Sequence, residues 1–301
     1  MLDTDIAALI GTPAPLPPLT PEMIPLIRAG MADAGRGLPG VSLADVRDLD
    51  ADGVAVRLYR PDGDAVLPLL VFVHGGGWML GDLETHDAMY RHLADRSGCA
   101  LLAVDYALAP EHPFPAGLDD VTTAFAWARR EARALGCDPT RVALGGESAG
   151  ANLSAALTLR LRDLGHAQPL FQLLVHPATD LSLPLPSLDD IAVPGLTRDY
   201  LEICRAMYAG DADYRIPLIS PLHAARHDGL APAIVLTMSE DPLRDDGEAY
   251  AAALVRDGVE TLACRLPGLP HGFMFLPATI PAVSRAFDTM ARLVRRYMAA
   301  A

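Results

Sequence analysis

The sequence predicts one α/β domain in which a mostly parallel central sheet carries helices on both faces. Short, continuously apolar runs recur between residues 69 and 266, and segments with helical periodicity separate most of them. Strands that are apolar along their whole length are typical of parallel sheets that helices cover on both sides. A chain of 301 residues can bury a single large core, and it contains no repeat of roughly 20–50 residues that would indicate a propeller or a solenoid.

The predicted strands and helices alternate after an N-terminal segment that proline and glycine punctuate. The strands are predicted at 54–59, 69–73, 100–104, 142–144, 170–175, 233–238 and 261–266. Helices are predicted at 22–31, 87–96, 117–135, 149–164, 197–208 and 280–298. The sheet is therefore expected to extend through most of the chain.

Two segments, at about 1–45 and 181–220, do not follow this alternation. The second is rich in proline and leucine and follows a predicted strand, where a loop over the C-terminal edge of the sheet belongs. In open α/β sheets, ligands bind at that edge. We therefore expect both segments to form a helical cap on a single domain that spans 1–301. The apolar residues expected to line this cap are Met23, Leu26, Ile27, Met31, Leu196, Ile203 and Met207.

Composition argues against several classes of partner. The net charge of −14 opposes binding to phosphate backbones and anionic lipid headgroups, so neither nucleic acid nor a membrane surface is an expected partner. The chain has no lysine, which excludes a Ser-Lys dyad, a Schiff-base lysine and a P-loop lysine. Its first residues are acidic, unlike a signal peptide, and no run approaches the roughly 20 apolar residues of a membrane span. We expect a cytoplasmic protein, and the proline- and leucine-rich cap and the C-terminal helix are compatible with a homodimer.

The strongest local signal is the motif Gly146-Glu147-Ser148-Ala149-Gly150, which follows one predicted strand and opens a helix. A strand, a G-x-S-x-G turn and a helix form a nucleophile elbow, in which a tight turn pushes the serine hydroxyl clear of the sheet edge. The motif by itself is common by chance and could be a simple glycine-rich turn. Its strand-turn-helix context favours Ser148 as a nucleophile.

A second signal is the run of Gly75, Gly76 and Gly77 directly after the predicted strand at 69–73. Three glycines leave backbone N–H groups unshielded, as an oxyanion hole requires. The N–H of Ala149, the residue after the serine, would add a donor. A phosphate-binding loop is the alternative, but the G-x-G-x-x-G spacing fails at Leu80.

An acid and a later histidine lie in loops after the last two predicted strands. Asp241 follows 233–238 and His271 follows 261–266, so both are expected at the sheet edge that carries Ser148. The chain order serine, acid, histidine is the order that a hydrolase triad takes on an α/β sheet. The competing acids are Glu240, Asp245 and Asp246. Asp241 is preferred because it lies close to the strand end and before a proline, whereas positions 245 and 246 would already be helical.

The other histidines and the cysteines have simpler interpretations. His74 is expected to shape the glycine loop, and those interpreted as surface or packed residues are His86, His92, His112, His166 and His176. His223 and His227 have the i, i+4 spacing of a zinc site, but position 224 is alanine rather than glutamate and no third ligand is evident. The four cysteines contain no C-x-x-C pair. We expect neither a metal nor a cofactor.

Together these motifs resemble those of the bacterial hormone-sensitive-lipase-like carboxylesterases, family IV of the α/β-hydrolase superfamily. The matching pieces lie between about residues 55 and 275 and are HGGGW at 74–78, GDLETH at 81–86, DYALAPEHPFPA at 105–116, GESAG at 146–150, DPLRD at 241–245 and HGF at 271–273. The resemblance implies an α/β-hydrolase fold with a cap built from the N-terminus and an insertion. It also implies oxyanion donors at Gly76, Gly77 and Ala149.

Two positions depart from the family pattern. Glu147 stands where the family usually has aspartate, and Ala107 stands where it usually has arginine. Neither change removes a catalytic group, so the resemblance still implies activity.

The expected function is a serine carboxylesterase that cleaves small-molecule esters of short- to medium-chain acids through an acyl-enzyme. An alternative is an amide- or carbamate-cleaving hydrolase, of the N-deacetylase or arylformamidase type, with the same triad. A non-enzymatic ligand receptor on this fold is a second alternative. His271 argues against it, because such receptors resemble the family but lack the catalytic histidine.

Overall fold

One β-sheet of eight strands runs through the computed structural model, which describes residues 1–11, 19–63, 65–191 and 196–299. The strands are β1 (Asp45–Ala51), β2 (Val54–Arg60), β3 (Leu67–Val73), β4 (Ala100–Val104), β5 (Cys137–Glu147), β6 (Gln172–Val175), β7 (Ala233–Glu240) and β8 (Thr261–Pro270). Their order across the sheet is β1-β2-β4-β3-β5-β6-β7-β8. β2 is antiparallel to β1 and β4, and every other neighbouring pair is parallel. The prediction of a mostly parallel sheet is confirmed.

The side chains of β3 show how the core divides into two layers. Leu69, Val71 and Val73 belong to one buried cluster, which we call the first cluster. Leu70 and Phe72 belong to a second cluster. All five side chains are fully buried. Successive side chains of a strand point to opposite faces, so a strand covered on both sides must be apolar at every position.

Helices connect the strands and supply the two covering layers. They are α1 (Thr4–Ile10), α2 (Ile24–Arg36), α3 (Asp87–Ser97), α4 (Ala116–Glu131), α5 (Ala149–Asp163), α6 (Ser187–Asp190), α7 (Arg198–Ala209), α8 (Arg244–Arg256) and α9 (Pro281–Ala299). Residues of α4 and α5 join the first cluster, and residues of α3 and α9 join the second. Within the described ranges, every helix is too short or too polar to span a lipid bilayer.

The structure corrects several predicted boundaries. α2 continues beyond the predicted end at residue 31, and α4 ends at Glu131 rather than at 135, because the chain turns there to enter β5. β5 is longer at both ends than the predicted 142–144. Its first residues include Asp138 and Pro139, which are typical of turns. A search for apolar runs therefore misses the start of this strand.

The strand β1 is absent from the predicted elements. It is an edge strand that pairs with β2, and its charged residues include Asp45, Arg47, Asp48 and Asp50. Asp48 lies opposite Arg57 of β2 and forms an ion pair with it. A charged edge discourages pairing with another chain. The same charges leave the strand without the hydrophobic pattern by which a strand is recognised in a sequence.

Two helices of the segments expected to form the cap contact the loop after β3. Arg28 of α2 donates a hydrogen bond to the Met79 carbonyl at 2.7 Å. Cys204 of α7 lies so close to Gly77 that a Cβ atom there would be 2.8 Å from its Sγ. α1 packs elsewhere, because its buried Ile6 belongs to the second cluster. The parts of these segments at 12–18 and 192–195 lie outside the described residues.

The prediction that Leu26 lines the cap is wrong. Leu26 is 76% exposed, so it faces solvent. Ile24, Ile27 and Met31 have the i, i+3, i+7 spacing of one helical face, and all three pack in or against the first cluster. The other half-buried candidates are Met23, Leu196, Ile203 and Met207.

A buried carboxylate of α8 holds the chain at the start of the 181–220 segment. Asp246 of α8 is 4% exposed. Its Oδ1 accepts hydrogen bonds from the N–H groups of Thr179 and Asp180, at 2.8 and 2.7 Å, and from the Thr179 hydroxyl at 3.2 Å. Burial, with the nearby charge of Asp180 adding to it, raises the pKa of Asp246 to about 7. The segment is thus held by an acid that stays protonated in the folded protein at mildly acidic pH.

We expect the Asp246→Asn variant to gain stability relative to the wild type as the pH rises. Well below pH 4 the carboxyl is protonated in both states, and between about pH 4 and pH 7 the unfolded chain is ionised while the folded protein still holds the proton. The contribution of this group to stability is therefore lost over that range, by roughly 2–4 kcal/mol. Because Oδ1 accepts all three bonds, asparagine can keep them.

The measurement is urea unfolding of both proteins between pH 4.5 and pH 8.5. The exposed Asp163 provides the control, since Asp163→Asn should change the free energy of unfolding by less than about 0.5 kcal/mol across that range. A difference between Asp246→Asn and wild type that does not vary with pH would contradict the prediction.

Candidate active site

The turn between β5 and α5 places the Ser148 side chain at the edge of the sheet. Ser148 has φ 53° and ψ −118°, a strained conformation for a residue with a Cβ atom. The residues two positions before and after it must be glycine, and a Cβ on Gly146 would lie 2.5 Å from the Gly150 backbone. A Cβ on Gly150 would lie 2.1 Å from the Val73 carbonyl oxygen. The predicted elbow is therefore enforced by the close approach of β3 and α5.

Three side chains at the ends of three strands form one hydrogen-bonded series. His271 Nε2 lies 3.0 Å from Ser148 Oγ. His271 Nδ1 lies 3.0 Å from both carboxylate oxygens of Asp241. Asp241 is fully buried and also accepts a hydrogen bond from the N–H of Leu243 at 2.8 Å. The structure thus brings together the three residues that the sequence selected.

The competing acids all have other partners. Glu240 bonds to the N-terminal amine and the Ser239 hydroxyl, Asp245 accepts from the N–H of Ser187, and Asp246 accepts from Thr179. Asp245 and Asp246 lie in α8, as predicted. Of these acids and Asp241, only Asp241 follows the end of β7 and meets the imidazole.

The electrostatic surroundings of His271 favour its protonated form. Burial acts to lower its pKa, but the charge and hydrogen bond of Asp241, and then the charge of Glu147, more than offset burial and raise it. An imidazole with a raised pKa is a stronger acceptor for a hydroxyl proton. The arrangement can therefore move a proton from Ser148 to His271.

The glycine loop after β3 presents unpaired N–H groups beside the serine. Gly76 and Gly77 have φ 107° and 62°, and neither N–H donates a hydrogen bond within the described part of the chain. The Gly76 carbonyl accepts from Met79 and Leu80, which closes the turn. Ala149 is the first residue of α5, where a helix leaves its N–H without an internal partner. These three donors are available to a negatively charged oxygen.

A buried carboxylate behind the serine joins this loop to the elbow. Glu147 is 2% exposed, and its Oε1 accepts a hydrogen bond from the Gly75 N–H and lies 3.2 Å from His86 Nε2. Its Oε2 lies 3.7 Å from His176 Nδ1. Burial alone would raise the pKa of Glu147, but the bond from His86 and the neighbouring imidazoles lower it to about 2. The departure from the family pattern at this position therefore supplies a central contact of the site.

The sequence analysis missed the place of two histidines. His86 and His176 are buried beside Glu147, and the His176 ring centroid lies 4.3 Å from that of His271. Burial and the nearby His271 lower the pKa of His176 to about 4. The available signal was the position of His176 directly after the buried strand β6, at the edge where the triad meets. His74 stacks on Tyr106 at 4.4 Å, and its Nδ1 lies 2.8 Å from the Gly75 carbonyl oxygen.

The two histidines with zinc-like spacing do not converge. His223 Nε2 lies 2.9 Å from Asp180 Oδ1. His227 instead bonds to Asp257 through Nδ1 at 2.9 Å and to the Pro221 carbonyl through Nε2 at 3.0 Å. Because each imidazole has its own partners, this pair does not form a shared ligand set.

A serine elbow, a glycine loop and a Ser-His-Asp series at the C-terminal edge of a mostly parallel sheet define an α/β hydrolase. The chain belongs to the alpha/beta hydrolase fold family, whose sequence profile matches residues 70–275. The resemblance found in the sequence is thereby confirmed, and so is the fold class.

Several proteins named as esterases are similar to this chain. The carboxylic ester hydrolase LipN of Mycobacterium tuberculosis is 42% identical over 262 residues, which cover 83% of this chain and 70% of LipN. The carboxylesterase NlhH of the same organism is 41% identical over 242 residues, covering 77% of this chain and 75% of NlhH. Among solved structures, an esterase of Pyrobaculum calidifontis superposes with a TM-score of 0.90 at 32% identity and covers 100% of both chains.

We expect the Glu147→Gln variant to unfold more easily than the wild type. Glutamine Oε1 can still accept from Gly75 and His86, but the negative charge that strengthens both hydrogen bonds is lost. The expected loss is about 2–3 kcal/mol of unfolding free energy. Urea unfolding at pH 7 measures it.

Glu111→Gln is the matched control, because Glu111 is 48% exposed and pairs with Arg28 at the surface. It should lose less than about 1 kcal/mol. Equal losses in the two variants would show that the buried network contributes no more than a surface ion pair.

Proposed function

We propose that this protein is a carboxylesterase in which Ser148 is the nucleophile, His271 the general base and Asp241 the residue that orients the histidine. The observation that carries the proposal is the position of His271, whose Nε2 is 3.0 Å from Ser148 Oγ while Nδ1 is 3.0 Å from Asp241. The family and the esterases similar to this chain support the same activity.

In the first half of the reaction, Ser148 Oγ attacks the ester carbonyl carbon as its proton passes to His271 Nε2. The carbonyl π electrons move to the oxygen. Hydrogen bonds from the N–H groups of Gly76, Gly77 and Ala149 stabilise its negative charge. The tetrahedral intermediate then expels the alcohol, which takes the proton from His271. The acyl group remains on Ser148.

In the second half, His271 accepts a proton from water as the water oxygen attacks the acyl carbon. The same three N–H groups hold the second oxyanion. Collapse of this intermediate breaks the bond to Ser148 Oγ, which regains the proton, and releases the carboxylic acid. Throughout, Asp241 keeps the Nδ1 proton of His271 in place and stabilises the imidazolium.

The proposed substrates are small esters with short- to medium-chain acyl groups. α7 packs over the glycine loop, where a Cβ on Gly77 would lie 2.8 Å from Cys204 Sγ and 3.8 Å from the Tyr200 hydroxyl. Side chains this near an oxyanion donor limit the room for a long chain. The arylesterase of Saccharolobus solfataricus and the ethyl acetate hydrolase of Pseudomonas putida, both similar to this chain, have names that fit small esters.

The same contacts support a single hydrolase domain, 1–301, whose cap is formed by about 1–45 and 181–220. α2 reaches the loop after β3 through Arg28, and α7 reaches it through Cys204. Both helices therefore lie on the side of the sheet edge where an ester must enter.

Replacing the triad residues should abolish turnover without loss of folding. Ser148→Ala should lower kcat for p-nitrophenyl butyrate by roughly 10⁵–10⁶-fold, and Asp241→Asn by about 10⁴-fold. A fluorophosphonate probe should label the wild type at Ser148 alone. Ser284→Ala, a change on α9 away from the triad, should leave labelling and turnover unchanged. Labelling that persists in Ser148→Ala would disprove the assignment.

Acyl-chain length provides a separate test. Among p-nitrophenyl acetate, butyrate and palmitate, kcat/KM for palmitate should be lower than for butyrate by at least about tenfold. A preference for palmitate would contradict the proposed chain length. Matched butyramide and butyrate substrates should show faster cleavage of the ester, and faster cleavage of the amide would favour the amide-cleaving alternative.

A further inference from the structure

We propose that His176, Asp241 and His271 form a binding site for a transition-metal dication such as Zn²⁺, which inhibits the enzyme reversibly. The ion is a regulator that competes for the triad and is not a resident cofactor. Binding follows from the side chains alone, whereas the inhibition rests on the proposed function.

The reaction proposed above leaves His176 without a role, although its conformation is costly. Its ring is fully buried, and neither ring nitrogen has a hydrogen-bond partner in the described ranges. Its φ is 36°, and its N–H is fixed to the Leu236 carbonyl at 2.7 Å. Unpaired buried polar atoms and strained backbone both destabilise a protein, and both are concentrated at functional sites. The ring meets His271 with centroids 4.3 Å apart.

The spacing of the three side chains is near that of a metal site. One ligand atom from each of His176, Asp241 and His271 can be chosen so that all three lie within 4.8 Å of one another. Zinc bonds of about 2.0–2.2 Å in a tetrahedral arrangement place ligand atoms about 3.4 Å apart. The pair Asp241 and His271 is already at 3.0 Å. We expect side-chain rotations to close the remaining distance around an ion.

The ligand types and nearby charge select the kind of ion. Two imidazoles and one carboxylate suit zinc and its first-row neighbours, whereas magnesium and calcium prefer oxygen ligands. The Glu147 carboxylate lies 3.7 Å from His176 Nδ1, so a second buried carboxylate lies beside the ligand set. The combined charge of the two carboxylates compensates a dication that a single aspartate would leave partly unpaired.

Metal binding at this place blocks the base by fixing its tautomer. The ion takes the lone pair of His271 Nδ1, the nitrogen that faces Asp241. The single proton of the neutral ring moves from Nδ1 to Nε2, so no proton is lost or gained overall. With Nε2 protonated, His271 cannot accept the proton of Ser148. The side chain of His271 is 13% exposed and that of Asp241 is fully buried, so the ion must enter past His271, and we expect slow onset.

Calorimetric titration of Zn²⁺ into Ser148→Ala tests binding apart from catalysis. We expect one ion per chain, and replacement of His176 by glutamine in that background should weaken affinity by at least about tenfold. His223→Gln is the matched control, because His223 pairs with Asp180 and should leave the affinity unchanged. If the His176 variant does not fold, Co²⁺ added to Ser148→Ala should still give the intense visible absorption of a tetrahedral site with nitrogen ligands.

Steady-state hydrolysis of p-nitrophenyl butyrate then tests inhibition in the wild type. Zn²⁺ should inhibit with slow onset, EDTA should restore activity, and Mg²⁺ at equal concentration should have no effect. Absence of Zn²⁺ binding, or binding lost in His223→Gln instead, would overturn the proposed site. An active esterase that binds Zn²⁺ without inhibition would overturn the regulatory role. Zn²⁺ binding in a wild type without ester hydrolysis would refute the esterase and leave the site standing.

Discussion

The hydrogen bond from the Gly75 N–H to the Glu147 carboxylate joins the end of β3 to the end of β5. The two strands are neighbours in the parallel sheet, so the glycine loop and the serine elbow emerge side by side. A carboxylate that is buried and charged at this junction needs donors around it, and Gly75 and His86 supply them. The positions of the proposed oxyanion donors relative to the serine depend on this contact, because the hydrogen bonds that Met79 and Leu80 donate to the Gly76 carbonyl lie within the loop itself.

The parallel sheet does the remaining alignment. β5, β7 and β8 each end at the same edge, and the proposed nucleophile, acid and base follow those three ends directly. Because the strands are apolar on both faces, their register is fixed by the two core layers and not by the site. The proposed catalytic side chains can therefore occupy loops, where strained backbone is tolerated, while the buried strands determine the distances between them.

The sequence was sufficient to predict the sheet, most helices and the Ser148, Asp241 and His271 series, because each depends on local pattern and on chain order. It was insufficient for β1, because charged residues interrupt every apolar run in that strand. It was also insufficient for Leu26, because the packing of α2 determines which face of the helix is buried. It also could not identify His176. A histidine becomes part of a site through its neighbours in space, and the chain places 94 intervening positions between residues 176 and 271.

Arg28 shows how the proposed cap can change while the loop after β3 stays in place. Its guanidinium donates to the backbone carbonyls of Met79 and Ala109, at 2.7 and 2.9 Å, and pairs with Glu111. Main-chain oxygens are present whatever side chain a position carries. Substitutions at 79 and 109 therefore leave the hydrogen bonds from Arg28 intact. Lysine could not replace the forked guanidinium. Substrate preference can thus change through substitutions at the residues around Arg28, while its hydrogen bonds continue to hold α2 against the loop after β3.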